Sequence, residues 1–161
     1  AIIHSYSNVP RDLPHSLASR PLGSEAVRLA APSSTSASNE AVRLDDFSSM
    51  PWIAPTTDVT CYTMMERACG LAGFRPHIVA ESMDFAVQLE LVAAGVGVAL
   101  VPALTATEIP DGVKLLDLTT PVTRSLHLVM RSPDQADPGI NNLCDILTRT
   151  ASERLPVPPP V

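Results

Sequence analysis

Apolar and polar positions alternate in two rhythms between Pro51 and Pro102. The short apolar runs Pro51–Ala54, His77–Ala80 and Val96–Val101 have strand length and turn residues at their ends. Between them lie two stretches with helical spacing, about Asp58–Ala72 and Asp84–Ala94. In the first, Cys61, Met64, Met65, Ala68, Leu71 and Ala72 make an apolar stripe, with Glu66 and Arg67 off it. In the second, Phe85, Leu89 and Val92 face inward while Gln88 and Glu90 point outward. Asp58 is placed to cap the first helix, and Ser82 or Asp84 the second. Gly73 and Gly95 stop them. Two strand–helix–strand units in succession predict a parallel sheet, because parallel neighbours need a crossover. Both helices then begin beyond the carboxyl ends of strands, on the edge where open α/β sheets take ligands. The pattern therefore predicts a small-molecule cleft lined by Ala54–Val59 and Ser82–Phe85.

The flanking segments add shorter elements. Ala1–Tyr6 reads as a short buried strand and Ser7–His15, with two prolines, as a loop. Leu17–Arg20 and Glu25–Ala31 read as two strand pieces. Pro32–Asn39 is a flexible surface loop, and Leu44–Phe47 one helical turn. Ala103–Thr107 is a turn or short helix, and Ile109–Gly112 a turn. Val113–Leu118 and Arg124–Met130 read as strands. Asp137-Pro138 opens a last helix whose buried face is Ile140, Leu143, Cys144, Leu147 and Ala151. Leu155–Val161 holds four prolines and is expected to be a disordered tail.

Charge narrows the partners. With 161 residues, a net charge of −6 and a single lysine, Lys114, this segment does not offer the clustered cations that nucleic acid requires. No run of 18 apolar residues exists, so nothing is expected to span a membrane. No signal peptide is visible, since Ala1-Ile2-Ile3 meets His4 at once. Cys61, Cys69 and Cys144 lack metal-ligand spacing and read as reduced, buried thiols of a cytoplasmic protein. On one helix, Cys61 and Cys69 stand roughly 12 Å apart along the axis, too far for a disulfide.

The chemistry of catalysis is missing. There is no Gly-x-Ser-x-Gly, phosphate loop or His-Glu-x-x-His, so no enzyme, cofactor or metal site is expected. His15, His77 and His127 have no partner at ligand spacing. Gly95, Val96 and Gly97 lack the dinucleotide fingerprint; they either end a helix or let a backbone come close beneath the cleft. Thr56, Thr57, Asp58 and Val59 offer hydroxyls and backbone N–H groups to an effector carboxylate or similar polar group, or else simply cap. Asp58 would repel an anion unless it turns inward, which leaves a neutral or cationic effector open. Ser82, Met83 and Asp84 repeat that choice at the next helix, and Trp52 lies beside the cleft.

The segments Leu44-Asp45-Asp46-Phe47, Pro51-Trp52-Ile53-Ala54, Cys69-Gly70-Leu71-Ala72-Gly73-Phe74 and Leu91 through Pro102 are together distinctive. In words, order and spacing they resemble the effector-binding domain of LysR-type transcriptional regulators, over most of residues 1–151. The resemblance implies an α/β fold of two lobes like a type 2 periplasmic binding protein, here truncated at its N-terminus. It makes residues 1–27 a remnant of the first lobe, 28–122 the second lobe with a mostly parallel sheet, 123–155 the return to the first lobe, and 156–161 a tail. It implies that His4 and Ser5 border the cleft, with Pro55, Thr56, Thr57, Asp58, Val59, Ser82, Met83, Asp84, Gly95, Val96 and Gly97 as the other effector-binding residues. Partners would be a small-molecule effector, a second copy in a homodimer or homotetramer, and DNA only through a separate helix-turn-helix module. Some peroxide-sensing members carry two cysteines in this region; Cys69 resembles the second, while the first would fall at Thr60 rather than Cys61. The fold argument serves a transporter's solute-binding protein equally well.

Overall fold

The computed structural model describes residues 1–36, 41–106 and 108–155. The elements are β1 (Ile2–Tyr6), β2 (Leu17–Pro32), β3 (Pro51–Ala54), α1 (Thr60–Leu71), β4 (His77–Glu81), α2 (Phe85–Ala93), β5 (Ala99–Pro102), β6 (Val113–Leu116), β7 (Val122–Arg131) and α3 (Pro138–Ser152). Short 3₁₀ turns cover Leu44–Phe47, Ala103–Thr105 and Ser132–Ala136. Parts of the expected loop at 32–39, Thr107 and the tail beyond Leu155 lie outside the described residues. The chain forms two compact units, Ala1–Glu25 with Thr123 onward, and Ala26–Val122.

In the first unit β1 runs antiparallel to β7, with Ile2 opposite Leu128 and Tyr6 opposite Arg124. Its place at the sheet edge leaves Ile2 55% exposed, so β1 is not the buried strand that its apolar start suggests. The two strand pieces expected at 17–20 and 25–31 are one strand, β2. A side chain at Gly23 would meet Leu155 Cβ at 2.9 Å, so that glycine is there for packing. Asp137 caps α3, accepting from the N–H groups of Gly139 (2.7 Å) and Ile140 (3.1 Å). Only Cys144 of its expected inner face is buried, and Leu143 is 55% exposed.

The second unit is built on five strands. β3 and β4 are parallel, and Trp52 bridges Val98 in parallel just before β5. β2 runs antiparallel to β5 and β6, Leu29 facing Leu100 on one side and Leu116 on the other. The parallel pairing expected from the crossovers thus holds for the strands that the two helices connect. Ile53, Leu89, Val92, Ala99 and Val101 close one core layer under α2. Strand alternation turns Trp52 the other way. There it is fully buried, its indole N–H donating to Phe47 O (3.2 Å) and its ring 5.8 Å from Phe74. It is a core residue, not a side chain beside a cleft.

Helix ends follow the glycines. Gly73 and Gly95 take positive φ, and Phe74 N donates to Cys69 O (3.1 Å) as Val96 N does to Leu91 O (3.0 Å). Two inward positions differ from the pattern. In α1, Leu71 is 78% exposed, and Cys69 fills the core instead. In α2, Gln88 is fully buried, not outward. It lies three residues after Phe85 and four before Val92, on the apolar stripe itself.

Candidate functional site

β3 and β4 are parallel, so both deliver their following loops to the same edge of the second unit. Ser82 N donates to Ala54 O (2.9 Å), joining the two loops at their bases. Above that bond, Thr56 Oγ1 lies 2.8 Å from Asp58 Oδ1 and 3.0 Å from Met83 Sδ. One hydroxyl proton serves these two acceptors in turn. Residues Pro55–Val59 and Ser82–Asp84 are therefore brought together. Asp58 does not cap α1: Val59 holds the N-cap position without a side-chain bond, and Asp58 turns to Thr56. The threonine two residues earlier offers a stronger donor to the carboxylate than a backbone N–H that the extended Val59 places out of reach.

The second loop is tighter. Asp84 caps α2, its Oδ1 accepting from Ala86 N (2.8 Å), and Ser82 Oγ accepts from Asp84 N (3.2 Å). Beneath them Gln88 Nε2 donates to Ser82 O (2.7 Å), while its buried Oε1 has no partner among the described residues. A shallow depression opens here, lined by Met83, Asp84, Phe85, Ala86 and Thr105. Gln88 and Thr105 were missed by sequence reasoning. Gln88 carried a signal, a polar residue on an apolar stripe; Thr105 carried none, because its loop is distant in sequence.

His4 and Ser5 belong to the first unit, on β1. His4 packs edge-on against Tyr6 with ring centroids 5.5 Å apart. Burial, and then the charges of Arg124 and Arg11, push its pKa below the ordinary 6.5 and favour the neutral ring. Gly95, Val96 and Gly97 lie at the other end of α2 from Asp84. Gly97 stands against Pro51, the first residue of β3, whereas Pro55–Val59 follow its last. The close approach that Gly97 permits is to the Pro51 carbonyl. Among the described residues no three His, Cys, Asp or Glu side chains group to hold a metal, and no helix is long and apolar enough to cross a membrane.

The three cysteines are buried and none is in a disulfide. Burial pushes the Cys69 pKa up to about 12, the opposite of what a peroxide-reactive thiolate needs. Iodoacetamide at pH 8 is therefore expected to leave Cys69 unlabelled in the native protein and to label it after denaturation, read by peptide mass mapping. Rapid native labelling would contradict that burial.

Comparisons with known proteins agree on one family. The family model described as LysR substrate binding domain matches residues 2–152. No curated protein matches the chain. The fold is similar to that of Corynebacterium glutamicum OxyR C206 mutant (TM-score 0.73, 20% identity, 93% of this chain and 48% of that one). It is similar to HinK, a LysR family transcriptional regulator from Pseudomonas aeruginosa (0.73, 20%, 96% and 53%). It also resembles the regulatory domain of Synechocystis PCC6803 CcmR in complex with 2-PG (0.74, 11%, 95% and 75%). The chain spans about half the length of the OxyR and HinK chains.

Proposed function

We propose, because the chain belongs to the LysR substrate binding domain family, that it is the small-molecule sensor of a transcriptional regulator. That family is one of transcriptional regulators with a two-lobed effector-binding fold, and membership removes the solute-binding protein of a transporter, which fold alone could not exclude. The observation that carries the reading is the meeting of two loops at one sheet edge, Ser82 N on Ala54 O and Thr56 beside Met83, in a chain of this family. Pro55, Thr56, Thr57, Asp58 and Val59 contact the effector from one loop, and Ser82, Met83 and Asp84 from the other. His4 and Ser5 of the first unit contribute from β1. Gly95, Val96 and Gly97 serve helix termination and strand packing instead. Residues 1–27 and 123–155 act as part of the first lobe, and 28–122 as the second.

The mechanism is ligand-biased geometry. An effector that binds one lobe arrangement more tightly shifts the population toward it by that difference in affinity. A homodimer or homotetramer passes the shift to helix-turn-helix modules outside this segment, in the cytoplasm. The chain performs no catalysis in this reading. The test uses the native gene product and a reporter on the promoter it controls. Thr57→Ala and Asp58→Ala are expected to hold the reporter at one level across conditions that switch the wild type. Normal switching in both variants would remove this edge from the effector site.

A further inference from the structure

The α2 end of this loop edge has the wrong electrostatics for an anion. At α2 the slot that a ligand carboxylate would take is already filled, because Asp84 Oδ1 accepts the Ala86 N–H itself. At α1, Asp58 is held by Thr56 and adds a second exposed carboxylate to the same edge. Glu81, the last residue of β4, is a third. Arg28, opposite Val101 near the end of β5, is committed to Asp117 at 2.8 Å. The polar side chains that line the depression are Asp84 and Thr105. Thr105 spends its proton on Pro102 O (2.6 Å) and presents oxygen lone pairs. Gln88 is not in the lining: it is fully buried beneath this loop, its Nε2 donating to Ser82 O and its Oε1 without a partner among the described residues. The remaining lining is apolar, the Met83 thioether, Ala86 and the Phe85 ring.

We propose that this depression takes an organic cation, an ammonium or amidinium on an apolar body, in preference to a carboxylate or phosphate. The charged head meets Asp84 Oδ2 and the Thr105 hydroxyl oxygen, and the apolar body lies on Met83, Ala86 and Phe85. This deepens the proposed function and rests on it, since the depression opens on the same edge.

Three probes with one phenyl body separate charge from shape: benzamidine, benzamide and benzoate. They are titrated into the native gene product carrying methyl-labelled methionine, with the Met83 resonance as the local reporter. Benzamidine is expected to shift Met83 and to bind about tenfold tighter than benzoate, the sum of one exposed attraction and one repulsion. Asp84→Asn keeps the cap, since asparagine caps as well as aspartate, and should weaken benzamidine about fivefold while leaving benzamide unchanged. Benzoate binding as tightly as benzamidine at Met83, or an Asp84→Asn variant that binds benzamidine as before, overturns the cation preference but leaves the effector edge standing. Binding of the probes with no shift at Met83, or no binding at all, overturns the depression as a ligand site; if Thr57→Ala and Asp58→Ala also switch normally, the whole edge leaves the effector site.

Discussion

Gly97→Ala is expected to destabilise the chain by about 3 kcal/mol, the upper part of the range for forcing a methyl group into a filled site. The added Cβ would stand 2.5 Å from Pro51 O, 2.9 Å from Pro51 C and 3.4 Å from Trp52 N. These are backbone atoms, so no rotamer change relieves the contact. They are also the atoms that pair the strands: Val98 N donates to Pro51 O (2.9 Å) and Ile53 N to Val98 O (2.8 Å). Moving β3 away strains both bonds and loosens the fully buried Trp52 and Ile53. For a domain of this size the midpoint of thermal unfolding should fall by about 6–12 °C. Gly70→Ala is the control, because among the described residues nothing beyond its own helix backbone and chain neighbours lies within 4 Å of the point where its methyl group would stand, and the residue is helical. It should stabilise by about 0.5–1 kcal/mol, through helix propensity alone. Calorimetry on the two variants that gave equal midpoints would refute the packing role of Gly97.

That glycine also marks what could be read from the sequence and what could not. Local rules were legible. Gly73 and Gly95 ended helices, Asp84 and Asp137 capped them, and apolar runs of strand length became β3, β4 and β5. These features depend on neighbours within a few residues. Contacts between distant segments were not legible. Gly97 packs against Pro51, 46 positions away in the chain, and nothing local announces that contact. Asp58 looked like a cap because a carboxylate before a helix usually is one; the hydroxyl of Thr56 competed and won. Leu71 and Cys69 exchanged roles because the apolar stripe drifts around α1, and only the position of the sheet decides where it lands. The two loops of the candidate site were legible as a pair, since parallel pairing alone sends β3 and β4 to one edge. Gln88 beneath them needed the register of α2 against Ser82.

The buried pair of Glu25 and Arg124 carries the second large expected effect. Glu25 is the last β2 residue of the first unit, and Arg124 lies at the start of β7, where the chain returns to that unit. Arg124 Nε donates to Glu25 Oε1 at 2.6 Å, a second guanidinium nitrogen contacts the same oxygen, and the two side chains are 10% and 2% exposed. A charge pair so far from water gains little over an apolar pair, because desolvation offsets most of the attraction. Removing one partner is different, since it strands the other charge. Arg124→Met and Glu25→Leu are therefore each expected to lose about 3–5 kcal/mol, and the double variant Glu25→Leu/Arg124→Met about 1 kcal/mol or less relative to wild type. Denaturant melts of the four proteins close the cycle. Additive losses would mean that each residue packs independently and that the pair is not a unit. The same series reaches the neighbouring imidazole. Arg124 is one of the charges holding the His4 pKa down, after burial itself, so Arg124→Met should move the His4 titration upward toward 6.5 without restoring it fully. An unchanged His4 titration by NMR, alongside a large loss of stability, would assign the Arg124 effect to packing rather than to charge.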